Sequence, residues 1–169
     1  MQPDEISDET MPAPPAMRPL DPRQRAVLRI RTVVAMAVLL VLSLAIDAGP
    51  LRETPLSPGL APGIVLLLGL VAVAWLPGRR YRAWSYREDE EEVHIHHGLL
   101  VRMRTIVPFG RVQHIDLAQG PIERPFGIAT LILHTAGTRA ASVRLPGLAQ
   151  AEAEAMRDRI RARIRQELL

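Results

Sequence analysis

The chain has 169 residues, 48% of them hydrophobic but only 4% aromatic, and a formal net charge of +3 at neutral pH. Lacking cysteine, it has no disulfide, thiolate metal ligand or cysteine nucleophile. All 21 basic residues are arginine, which removes Schiff-base and P-loop lysine chemistry, and so small a net charge makes no case for nucleic-acid binding.

Residues 1–20 set Pro3, Pro12, Pro14, Pro15 and Pro19 beside Asp4, Glu5, Asp8 and Glu9. That composition offers too little apolar surface to offset the entropy of ordering, so a disordered cytoplasmic tail is expected. Order is expected from Asp21-Pro22, a capping carboxylate followed by proline at the first helical position. Residues 32–46 are uncharged but fall short of the roughly 20 that a spanning helix needs. Borrowing Ala26, Val27, Leu28 and Ile30, with Arg29 and Arg31 reaching for headgroups, extends this span to 24–46. Residues 54–78 carry no charge and include an interfacial Trp75, which places a second span at 56–76. Residues 21–78 thus read as a two-helix transmembrane hairpin, with Gly59, Gly63 and Gly69 offered for close packing. A signal peptide cut after Ala45 is the rival, disfavoured by its long acidic start and by the span that follows directly.

Arg18, Arg23, Arg25, Arg29 and Arg31 precede the first span and Arg79, Arg80, Arg82 and Arg87 follow the second, against Arg52 alone between them. The positive-inside rule then makes this a multi-pass protein of the cytoplasmic membrane with both termini cytoplasmic. Arg79, Arg80 and Arg82 are the expected membrane-surface residues, beside anionic lipid.

Residues 79–169 read as a mainly β cytoplasmic domain with a terminal α-helix. Val101, Met103, Thr105 and Val107 alternate with arginines, as do Ala141, Val143 and Leu145 with Ser142 and Arg144. Further strands are expected at 81–86, 112–118 and 129–135, with turns at Gly120-Pro121 and Ala136-Gly137. The helix is expected over 150–168, where Ala153, Met156, Ile160, Ile164 and Leu168 form a stripe, although Ala149 supplies no capping oxygen.

The run REDEEEVHIHHGLLVRMR, residues 87–104, raises the question of a metal. A hairpin centred on Gly98 sets Ile95 opposite Val101 and Val93 opposite Met103 inside, with His94 opposite Arg102 and Glu92 opposite Arg104 outside. His94 and His96 share a face, but an arginine beside them opposes a cation and no third ligand is fixed by spacing. Strand-surface histidines beside a solvated acidic turn, with no metal and no cofactor, are the preferred reading. Asp116 and Glu123 read as isolated acids and no triad is fixed by spacing, so no catalytic residue is assigned and the protein is not expected to be an enzyme.

HHGLLVRMRTIVPFGRVQHIDLAQGPIERPFGIATLILHTAG (residues 96–137) and VRLPGLAQAEAEAMRDRI (residues 143–160) resemble the bacterial pleckstrin-homology (PH) domain of YdbS-like membrane proteins. The resemblance implies a bent antiparallel barrel capped by the C-terminal α-helix, behind two transmembrane helices. It further implies a non-catalytic adaptor or assembly module in an envelope complex, in which the partner is a larger membrane protein with tandem PH-like domains. A homo-oligomer is kept open, and membrane lipids are expected neighbours. No phosphoinositide specificity is expected, because the first hairpin loop, Arg87 to Glu91, is mostly acidic. The alternative is a subunit of a lipid-handling or export system that contacts lipid as cargo.

Overall fold

The computed structural model describes residues 16–49, 59–136 and 142–167. The expectations for residues 1–15, the connecting loop at 50–58, Gly137, Ala141 and Leu168 lie outside the described residues. Strand β1 (Arg18–Pro19) precedes helices α1 (Gln24–Ala48) and α2 (Leu60–Arg82). Strands β2 (Ser85–Glu88), β3 (Glu92–His97), β4 (Met103–Pro108), β5 (Val112–Ala118), β6 (Ile128–Thr135) and β7 (Ser142–Ala149) follow, then helix α3 (Gln150–Glu167).

Helices α1 and α2 form an antiparallel transmembrane hairpin faced with aliphatic side chains. Val38, Leu67 and Leu70 are 62%, 64% and 63% exposed, a surface suited to hydrocarbon. Of the three glycines expected to pack closely only Gly69 does: a Cβ there would lie 3.5 Å from Met36, whereas Gly59 and Gly63 face open space. Asp47 opposes the dipole at the end of its own helix, but it accepts the Gly59 N–H at 2.9 Å, at the start of α2, where a carboxylate is favoured.

The β domain has two antiparallel sheets, ordered β1-β2-β3-β4 and β5-β6-β7, closed over one core by α3. Inward positions follow the period-two pattern: Val93 and Ile95 on β3 and Leu131 and Leu133 on β6 are fully buried. The α3 stripe meets them, with Ala153, Met156 and Ile160 fully buried and Ile164 packed at its end. Ala149 gives α3 no cap, yet the first N–H is satisfied: Gln150 donates to the Gly127 carbonyl at 2.9 Å. Arg159 fastens α3 to β2 through a bidentate pair with Glu88, at 2.9 and 2.7 Å. Glu88 therefore belongs to the domain's scaffold and not to a freely solvated acidic turn.

Three local expectations are corrected. The tail is ordered at its end: Arg18 and Pro19 pair with Tyr86 and Ser85, and Leu20 is buried. A proline is tolerated there because the strand lies at the sheet edge. The strand placed at 81–86 begins only at Ser85, because α2 continues through Pro77 to Arg82. Burial holds that extension, since Tyr81 is inside the core and its hydroxyl donates to the Leu20 carbonyl at 2.7 Å. Finally, the β3–β4 register lies four residues from the expected one: Val93 faces Val107, Ile95 faces Thr105 and His96 faces Arg104. The shift preserves the faces of the alternating strand, so Val107 takes the buried place expected for Met103, and Val101 is left 73% exposed. Gly98 does take the positive φ, +121°, that opens the loop.

Gly147 is the second glycine on which the fold turns. Its φ is +73°, and a Cβ would lie 2.8 Å from Gln24 Cγ and 3.0 Å from Leu20 Cδ1. Gly147→Ala is therefore expected to cost about 2 kcal/mol, through backbone strain and displacement of the start of α1. Denaturant unfolding in detergent micelles checks this against Gly63→Ala, which enters open space and should leave stability unchanged or raised.

Candidate functional site

The most constructed region is the junction between the helix pair and the β domain. The first turns of α1 lie within the domain: Val27 is fully buried, and Gln24 and Thr32 are 2% and 6% exposed. Arg23 Nη1 donates to the Phe126 carbonyl at 3.2 Å, and the Arg25 guanidinium lies 4.2 Å above the Tyr81 ring. Glu123 is a buried acid, 4% exposed, whose Oε1 accepts from Arg31 Nη2 at 3.0 Å and whose Oε2 accepts the Gly120 N–H at 2.6 Å. One carboxylate thus closes its own loop and holds a juxtamembrane helix. Glu123 is not isolated and Arg31 does not snorkel; a buried acid needs a cation, and the helix supplies it.

The expected membrane-surface residues Arg79, Arg80 and Arg82 lie exposed on the last turns of α2, where cations also suit the dipole. The fold brings Arg79 and Arg82 to one cleft of about 500 Å³, together with Arg102 and Arg104 from the β3–β4 hairpin, while Arg80 is not part of its wall. His97, beside this cleft, stacks on Trp84 with ring centroids 4.7 Å apart, which ties the end of β3 to the end of α2. Spacing alone could not show this convergence, because Arg79 and Arg104 come from different elements.

The histidines divide. His96 faces Arg104 across the hairpin. His94 faces Ile106 and Arg87, not Arg102 as expected, and its Nε2 lies 3.1 Å from Asp89 Oδ2 and 2.7 Å from Glu92 Oε1. Asp89, Glu92 and His94 offer donor atoms within 4.8 Å of one another, a geometry compatible with a metal. Against that, Arg87 already places Nε and Nη2 at 3.0 and 2.9 Å from Asp89 Oδ2, a fixed cation at the same carboxylate. A second cluster escaped the sequence reading. His114 and His134 are cross-strand partners, and both reach Asp116, at 2.7 and 3.1 Å. Its signal was the pairing of strands 112–118 and 129–135, whose register the sequence left open.

Among the described residues, two apolar helices, seven strands in two antiparallel sheets and a closing C-terminal helix define a PH-like domain behind a transmembrane hairpin. The chain belongs to the bacterial PH domain family, whose model matches residues 26–164. It is 32% identical over 143 residues to the UPF0699 transmembrane protein YdbS of Bacillus subtilis (strain 168), covering 83% of this chain and 88% of that protein. No solved structure matches it.

Arg31→Ala is expected to destabilise the protein by about 2 kcal/mol, because it leaves a buried carboxylate with only the Gly120 amide. Arg29→Ala, on the exposed side of the same helix, should change stability little; comparing thermal unfolding of the two in micelles checks the pair. Partial burial first, then the charges of Arg104, His94 and Arg87, hold the His96 imidazole below its ordinary 6.5. The unfolded chain therefore takes up this proton more readily, so the residue contributes nothing above that pH and opposes folding as pH falls through it. In an NMR titration His96 should titrate below 6.5, and Arg104→Ala should raise its midpoint.

Proposed function

We propose that the protein is a non-catalytic adaptor or assembly module that presents a PH-like domain at the inner face of the cytoplasmic membrane, within an envelope complex. Membership in the bacterial PH domain family and similarity to a protein named as transmembrane support the membrane-module part of this reading. The observation that carries it is the junction: Arg31, Arg23 and the buried face of α1 fasten the domain to the hairpin and leave little freedom for a swinging tether. A fixed domain presents the same surface to every partner, so binding incurs less ordering entropy.

In this reading both termini are cytoplasmic, and the partner is a larger membrane protein with tandem PH-like domains. The offered surface is the outer side of β4, an edge strand with one neighbour in its sheet, where Ile106 is 54% exposed. An open edge with an apolar side chain suits a second β domain, through strand pairing and side-chain packing.

Capture from the native membrane through a C-terminal tag tests the assignment. A tandem-PH membrane protein is expected in near-stoichiometric amount, and Ile106→Glu should abolish its recovery while leaving the thermal unfolding of the captured chain unchanged. Recovery of the chain without a protein partner would overturn the adaptor reading. Protein-dependent transfer of labelled lipid between vesicles would favour the lipid-handling alternative.

A further inference from the structure

The loop between β3 and β4 exposes consecutive apolar side chains: Leu99 is 40%, Leu100 95% and Val101 73% exposed. In these strands the period-two pattern buries Val93, Ile95 and Val107, and the four-residue displacement of the register leaves residues 98–102 outside the strand pairing. The direction of the chain shows where they point. Strand β2 leaves the end of α2, β3 returns antiparallel to it with His96 opposite Ser85, and His97 stacks on Trp84. Gly98 and Leu99 then continue alongside Arg82 and Arg79, back toward the turns of α2 that enter the bilayer. The loop is held there by Gly98, since a Cβ at this position would lie 1.8 Å from the Val101 carbonyl oxygen.

Beside this apolar tip lies the cleft lined by Arg79, Arg82, Arg102, Arg104 and His96, with no carboxylate in its wall. Among the described residues none of these four arginines forms an ion pair. Guanidinium groups gathered in one concavity repel one another and form a positive potential that an anion relieves. Their planar forks match phosphate oxygens better than a point charge would. A headgroup phosphate and acyl chains require this combination, with cations at interface height and an apolar finger below them. The helices reinforce the placement: the stretch of α1 beyond its docked turns, residues 33–48, extends roughly 24 Å as a helix, less than the ~30 Å hydrocarbon core, and so draws the domain down onto the headgroups.

We infer that the cleft between the end of α2 and the β3–β4 hairpin binds the phosphate of an anionic phospholipid, with Leu99, Leu100 and Val101 inserted into the same leaflet. The site lies at a different loop from the acidic β2–β3 turn. It rests on the membrane-module part of the proposed function, not on the protein partner, so loss of lipid binding with partner capture intact would count against this site alone.

The full chain in nanodiscs of mixed phosphatidylglycerol and phosphatidylcholine tests it by two measurements. In native mass spectrometry the ejected protein should retain one phosphatidylglycerol in preference to phosphatidylcholine. The double variant Arg102→Ala/Arg104→Ala, changed only in exposed hairpin residues, should lower that retention about tenfold, the effect of losing charge-assisted hydrogen bonds worth about 1.4 kcal/mol. The chain has no cysteine, so a single spin label at Leu100→Cys reports depth directly. It should be shielded from a water-soluble relaxant and accessible to oxygen, whereas a label at exposed Gln113→Cys should show the opposite. Equal retention of the two lipids, an unaffected double variant, or a label at position 100 as aqueous as that at 113 would each overturn the inference. Displacement of the lipid by millimolar inorganic phosphate would also overturn it, in favour of a soluble phosphate ligand.

Discussion

Glu123 is a charge taken out of water, and its satisfaction organises much of the protein around it. Its carboxylate draws the Gly120 N–H and the Arg31 guanidinium together, so the segment 120–127 is closed on itself and attached to α1 at once. The same segment ends in Phe126, whose carbonyl receives Arg23, and Gly127, whose carbonyl receives the first N–H of α3. A buried acid without its cation would be costly, and a helix start without its acceptor would lose a hydrogen bond. The loop answers both requirements, which links the membrane helices to the helix that closes the core.

The junction changes what the membrane hairpin means. The first turns of α1 belong to the domain's interior, with Gln24 and Leu20 pressed against Gly147 and Tyr81 bonded to Leu20. The chain therefore enters the domain at residue 18, leaves it through α1, and re-enters through α2, so the domain is built on both ends of the hairpin. Fixing the domain to both ends of the hairpin also sets the β3–β4 loop beside the last turns of α2, where Arg79, Arg82, Leu99, Arg102 and Arg104 line one cleft. The same arrangement leaves β4 at the edge of its sheet.

Much of the fold was legible because it rests on periodicity. The apolar helices, strand 112–118, the α3 stripe and the positive φ of Gly98 are local patterns, and the stretches quoted from 96–137 and 143–160 carry the family resemblance. What was not legible depends on which of several equivalent pairings wins. Val93 could face Met103 or Val107 with the same alternation, and only the tertiary fold buries Val107 and leaves Val101 exposed. The roles of Glu123 and Arg31, 92 residues apart, were hidden for the same reason. In a chain with many arginines, nothing local marks the one that faces a buried acid. Arg79, Arg80 and Arg82 lie exposed on α2, and the convergence of Arg79 and Arg82 with Arg102 and Arg104 is a product of the hairpin register.

Rigid attachment of the domain to the helix pair is the central claim, and the absence of cysteine makes it directly measurable. Spin labels at Val38→Cys, on the lipid face of α1, and Arg163→Cys, on the exposed side of α3, report the distance between membrane helix and domain in nanodiscs. The Glu123–Arg31 junction predicts a single narrow distance distribution, broadened by Arg31→Ala. A broad distribution in the unmodified background, unchanged by that substitution, would contradict the account.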